Sequence, residues 1–146
     1  MASIPVHPYI RTHREDLVEL TLDLLSVETA NPPGETTDIV RQIEQYLEPF
    51  SVDVDRFVVD PAKPNLSVTV PGEAETTLLF NGHSDIVDVT EENEAGWTKD
   101  PWDPIVEDGK LYGRGSNDMK GPNTAMIWAA KAIMESDVEL SGDLLM

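Results

Sequence analysis

Apolar residues recur at three- and four-residue steps early in the chain. Leu17, Leu20, Leu24 and Val27, joined by Val18 and Leu25, form one stripe and predict an amphipathic helix. Thr12-His13-Arg14-Glu15 has the S/T-x-x-E spacing of a capping box and marks its start. The breakers Asn31-Pro32-Pro33-Gly34 end it. A second helix is predicted from about Thr37 to Leu47, with Ile39, Val40, Ile43, Tyr46 and Leu47 facing inward. Residues 1–11 show no period and carry Pro5 and Pro8, so they read as a loose lead-in.

The period then shortens to two. Val52, Val54 and the run Phe57–Val59 predict one strand, and Leu66, Val68 and Val70 another, stopped by Pro71-Gly72. Leu78-Leu79-Phe80 is continuously apolar, which suits a strand buried on both faces. Asp108-Gly109, set between Ile105-Val106 and Leu111-Tyr112, predicts a hairpin. Helical spacing returns from Gly121 to about Ser136 through Ala125, Trp128, Ala129, Ala132 and Ile133, and Asp143–Met146 begins a further strand. Strand, crossover helix and strand make a βαβ unit, so the fold class is α/β with a partly parallel mixed sheet and flanking helices.

Charge narrows the partners. The 146 residues hold 28 Asp and Glu against 10 Lys and Arg, for a net charge of −18. Such a chain repels phosphate backbones and anionic membrane surfaces, so no nucleic acid and no membrane are expected as partners. With 40 % hydrophobic residues and clear periodicity, the acidity reads as the coat of a folded protein suited to high salt. The chain has no cysteine, which excludes disulfides and thiolate chemistry. It has neither a signal-peptide pattern nor a long apolar run, and a cytoplasmic location is expected.

Two segments carry candidate chemistry. Leu78–Phe80 runs into Asn81-Gly82-His83-Ser84-Asp85, where extended backbone turns His83 and Asp85 to one side. The carboxyl end of a strand is where α/β sheets place ligands. A histidine there binds a metal through one ring nitrogen while the other donates to a carboxylate. Asp85 serves either as that carboxylate or as a ligand itself, and a surface His beside a loop Asp is the plain alternative. The second segment is Tyr112-Gly113-Arg114-Gly115-Ser116-Asn117-Asp118-Met119-Lys120-Gly121, whose glycines permit a tight path ahead of a helix. Asp118 is either a helix cap or a ligand. The phosphate-loop pattern G-x-x-x-x-G-K-[ST] is absent.

Taken together, N-G-H-S-D-I-V, the acidic loop A-G-W-T-K-D-P-W-D-P and D-G-K-L-Y-G-R-G-S-N-D-M-K-G resemble the M20 family of metallopeptidases and deacylases, which includes acetylornithine deacetylase and succinyl-diaminopimelate desuccinylase. The resemblance spans nearly the whole chain. It implies the N-terminal portion of a zinc-peptidase-like catalytic domain over residues 1–146, truncated and without the lid domain through which relatives dimerise. It implies zinc as cofactor, two ions in the complete site with cobalt as a substitute, and a small-molecule N-acyl amino acid or peptide as substrate. By resemblance His83 ligates one zinc, Asp118 bridges two, Asp85 orients His83 as the catalytic carboxylate of this segment, and the Asp118–Met119 peptide is cis. Gly121-Pro122 departs from the family, which often has a second glycine there; proline in a first helical turn is tolerated. The family's Glu-Glu pair, with its general base, and its remaining acidic and His ligands are expected beyond Met146.

The expected function is therefore a metal-dependent amide hydrolase, weak or inactive as this chain alone. The rival is a non-catalytic remnant, or a split-enzyme subunit needing a complementing C-terminal chain. Elsewhere, His7 and His13 read as solvated surface residues, Trp97 and Trp102 as loop anchors, and Glu91–Glu94 as a solvated acidic run rather than a calcium loop. Arg114 is expected to position its loop through a salt bridge.

Overall fold

The computed structural model describes residues 6–50, 52–136 and 138–146. Two helices, α1 (Val6–Thr12) and α2 (Arg14–Ser26), lead into the short strand β1 (Ala30–Asn31) and helix α3 (Thr37–Leu47). Strands β2 (Asp53–Phe57), β3 (Asn65–Val70) and β4 (Ala74–Leu79) follow, then the two-residue β5 (Ile86–Val87) and a single turn α4 (Glu91–Glu94). The hairpin β6 (Ile105–Glu107) and β7 (Lys110–Tyr112), helix α5 (Lys120–Met134) and strand β8 (Gly142–Leu145) complete the order.

The main sheet has the order β2-β3-β8-β4. Strand β8 runs parallel to β4, with Leu78 opposite Leu144, and antiparallel to β3, with Val70 opposite Leu144. The sheet is thus mixed, and β4-α5-β8 is the βαβ unit that the periodicity predicts. Helices α2, α3 and α5 bring Leu20, Leu24, Ile39, Ile43, Leu47, Ile127 and Trp128 together over Val68 of β3. Trp128 has no exposed surface. Its ring is covered by Lys131, whose Nζ stands 4.1 Å from the centroid, a cation–π contact that lets a charged residue sit at the edge of the core. Asp108 and Gly109 both have positive φ (52° and 73°), the backbone of a type I′ hairpin turn. Among the described residues, no helix is long and apolar enough to cross a membrane.

Three expectations change. The lead-in expected over residues 1–11 is helical from Val6 onward, whereas residues 1–5 lie outside the described residues. Pro8 falls in the first turn, where its missing N–H has no intrahelical acceptor to lose. The Thr12 box does not cap α2: the Thr12 hydroxyl turns back and donates to Tyr9 O at 2.9 Å, and His13 starts α2 without a side-chain cap. Finally, the apolar run expected to be buried on both faces lies at the sheet edge. Leu78 and Leu79 are each 60 % exposed and Phe80 45 %: β4 pairs only with β8, and neither of its faces is covered.

The core makes a direct prediction. Trp128→Ala removes the largest buried side chain and should lower unfolding free energy by about 3–5 kcal/mol. Urea denaturation would register this as a lower midpoint at unchanged slope.

Candidate metal centre

The segment after β4 is pinned from three directions. Phe80 N donates to Leu145 O at 2.8 Å, which continues the β4–β8 ladder to the edge of the site. Thr29 donates its hydroxyl to Ser84 O at 2.7 Å and accepts at its own carbonyl from Ile86 N, so β1 and β5 pair in parallel. From α5, Asn123 Nδ2 donates to His83 O at 2.8 Å. A Cβ at Gly82 would stand 2.1 Å from Asn123 Oδ1, so only glycine admits this close approach.

Asp118 arrives on the loop that opens α5. Gly115 there has φ +87°, and its carbonyl accepts from Lys120 N at 2.9 Å. Lys120 is fully buried and donates its Nζ to Val27 O, tying the start of α5 to the end of α2. Burial pushes its amine down to about 8, against a smaller upward pull from Glu28. The Asp118–Met119 peptide is cis. Asp118 does not cap the helix: Met119 holds that position, with no side-chain cap.

Its carboxylate turns instead to His83, and Oδ1 lies 3.0 Å from His83 Nε2. The other ring nitrogen, Nδ1, lies 2.8 Å from the backbone carbonyl of Asp85 and 3.3 Å from its Oδ1. His83 and Asp85 therefore do share one side, but the stronger hold on the ring is the Asp85 main chain. With acceptors at both nitrogens, the doubly protonated ring is favoured. His83 is held above 6.5, first by the Asp85 carbonyl and then by the Asp118 carboxylate, with partial burial opposing. The pair stays open to solvent, with side-chain exposures of 47 % for His83 and 73 % for Asp118.

Asn31 was legible in sequence only as a helix breaker, yet its Nδ2 donates to Asp85 Oδ2 at 2.7 Å. Arg114 anchors its loop through backbone carbonyls rather than through a salt bridge: its Nε donates to Val87 O and its N to Pro101 O. His7 is exposed. His13 is half-buried, stacked on Tyr9 at 4.2 Å between centroids, because α1 folds back over α5. Trp97 and Trp102 are half-buried within the acidic loop. Among the described residues, no three His, Asp or Glu side chains gather around one point.

This mixed sheet with its helices recurs within solved peptidases. Human carnosine dipeptidase 1 superposes with a TM-score of 0.79 at 24 % identity, over 97 % of this chain and 33 % of that one. An M20 family metallo-carboxypeptidase from Sulfolobus solfataricus gives 0.75 at 20 % identity, over 88 % and 29 %. Residues 79–146, which hold both His83 and Asp118, match the model of peptidase family M20/M25/M40. Among curated relatives, N-formyl-4-amino-5-aminomethyl-2-methylpyrimidine deformylase of Bacillus subtilis is 36 % identical over 141 residues, covering 94 % of this chain and 33 % of the relative. A probable succinyl-diaminopimelate desuccinylase of Staphylococcus epidermidis is 28 % identical over 130 residues, covering 89 % and 31 %. The chain spans about a third of the length of the curated relatives it matches.

Two outcomes follow from this geometry. In the metal-free chain, an NMR titration should place the His83 midpoint above 6.5, and Asp118→Asn should lower it without abolishing the shift, since the Asp85 carbonyl remains. The sign for stability is set by the raised value: the contribution of His83 is complete below pH 6.5 and is lost as pH rises through the folded-state midpoint. Separately, Lys120→Met keeps the buried volume but leaves the Val27 carbonyl without its donor, a loss of about 1–3 kcal/mol measurable by urea unfolding.

Proposed function

We propose that the protein is a metal-dependent hydrolase of amide bonds in small acylated substrates, N-acyl amino acids or short peptides. In this reading His83 and Asp118 are metal ligands and Asp85 is the residue that orients His83. The observation that carries it is the 3.0 Å approach of His83 Nε2 to Asp118 Oδ1, brought from two loops at the carboxyl end of β4. An imidazole and a carboxylate converging in the open suit zinc, or cobalt in its place. By resemblance to the relatives' family, His83 and Asp118 would hold one or both of two ions. Bound there, they would supply polarisation of the scissile carbonyl and a lowered pKa for water.

The chain's own residues prepare for this. The Asp85 carbonyl holds the proton on Nδ1, so when Nε2 loses its proton the lone pair points toward Asp118. Asn123 and Thr29 fix the backbone on either side of that ring. The exposure of Asp118 leaves its second oxygen free for another partner. The relatives' names support the acylated-substrate reading, since a deformylase and a desuccinylase each remove an acyl group. The net charge of −18 supports a cytoplasm of high ionic strength, where the Debye length falls to about 3 Å at 1 M salt and the acidic coat ceases to repel itself.

The reading requires further donors and a general base beyond His83, Asp85 and Asp118. Residues 1–146 would then be one part of a catalytic domain. The bare apolar edge of β4 favours a complementing polypeptide laid against Leu78, Leu79 and Phe80, whether in the same chain or another.

Zinc titrated calorimetrically into the chain should bind, and His83→Ala or Asp118→Ala should weaken it by at least about tenfold. Equal affinities in wild type and both variants would overturn the assignment. Without the general base, the 146 residues alone should hydrolyse N-acyl amino acids orders of magnitude more slowly than the full-length relatives. Zinc-dependent turnover at the relatives' rate would contradict that.

A further inference from the structure

A residue from a distant part of the chain reaches into the His83–Asp85 arrangement. Asn31 closes β1, where it pairs with Val87 of β5, and its amide donates to Asp85 Oδ2 at 2.7 Å. The other oxygen of the same carboxylate, Oδ1, lies 3.3 Å from His83 Nδ1. Asp85 is therefore hydrogen-bonded by Asn31 at one oxygen, while its other oxygen lies within ion-pair distance of the His83 ring. The terminal torsion of an Asp side chain is broad and roughly two-fold, so a donor on Oδ2 is what fixes the plane in which Oδ1 meets the ring.

The surroundings of Asn31 are shaped for this reach. Gly34 N donates to Ala30 O at 2.8 Å, which folds the loop back on itself. Gly34 has φ +74°, and a Cβ there would stand 2.9 Å from Asn31 Cγ. A glycine at 34 thus supplies both the left-handed backbone and the space in which the Asn31 amide turns toward Asp85. The amide chemistry matters as well as the shape. A carboxylate at position 31 would be isosteric but would face Asp85 Oδ2 with like charge and no donor.

We propose that Asn31 is a positioning residue for His83, acting through the Asp85 carboxylate. Where His83 is a metal ligand, as in the function proposed above, this makes a relay from Asn31 through Asp85 to the ligating imidazole. Partners that orient a ligating histidine typically change metal affinity by about 10–100-fold, and one step further out the effect should be about threefold to tenfold.

The test uses the metal-free, 15N-labelled chain at one fixed pH and reads the ring nitrogen resonances of His83. Asn31→Ala should move the Nδ1 resonance in the same direction as Asp85→Ala. The double variant should go no further than Asp85→Ala alone, because the route to His83 is already cut. Asn31→Asp, which keeps the shape, should behave like Asn31→Ala. An unmoved His83 in Asn31→Ala, a wild-type spectrum in Asn31→Asp, or additive shifts in the double variant would each overturn the proposal. A merely structural role for the loop would give that additive result. The Trp128 indole resonance reports that each variant is folded, and the isosteric Asn31→Asp carries the test if Asn31→Ala is not. Zinc calorimetry on the same set should show about a threefold to tenfold loss in Asn31→Ala and no further loss on top of Asp85→Ala. If wild type binds no zinc, the metal-centre reading fails, while the His83 resonances still judge Asn31.

Discussion

Ile127, Trp128 and Ala130 hold α5 against the sheet and the neighbouring helices, and that burial also decides where Asp118 stands. Helix α5 is the crossover between two parallel strands, so packing its apolar stripe sets its first turn beside the carboxyl end of β4. The fully buried Lys120 then fixes the register of that turn by donating to Val27 O at the end of α2. Asn123, one turn further along, reaches back to His83 O. One helix thus carries the core on its inner stripe and the site at its start.

The site that results is an electrostatic balance around one imidazole. Asp85 offers a carbonyl to Nδ1 and Asp118 a carboxylate to Nε2, both of which favour the charged ring, while partial burial opposes it. A cation at Nε2 would compete with a proton for the same lone pair, so metal affinity and pH are linked. The exposure of the pair keeps that position reachable, and the backbone clamps from β1, β5 and α5 keep it from drifting. Only a few of the 28 acidic residues take part.

Two features of the sheet bear on how the chain works. Its mixed character follows from β8 entering between β3 and β4, antiparallel to one and parallel to the other. The same insertion leaves β4 with a single partner and its apolar residues in solvent. An edge that is apolar on both faces is costly in water.

Much of this was legible along the chain. The bounds of α3, the Asp108-Gly109 hairpin, the crossover helix and the strand after it follow from local periodicity and turn chemistry, which act within a few residues. The shared side of His83 and Asp85 follows from the two-residue period of extended backbone. Local pattern could not reveal α1, because its helix is held by Tyr9 and His13 packing near Trp128, far along the chain. Nor could it choose between cap and partner for Asp118, or find a role for Asn31. The His83–Asp118 contact spans 35 residues and the Asn31–Asp85 contact 54, and such pairings exist only once the sheet and α5 have closed. The sequence by itself determined most of the elements, the acidic coat and the residue types able to hold a metal. Only the tertiary structure decided which of them meet, because convergence of side chains across such separations is set by packing and not by spacing.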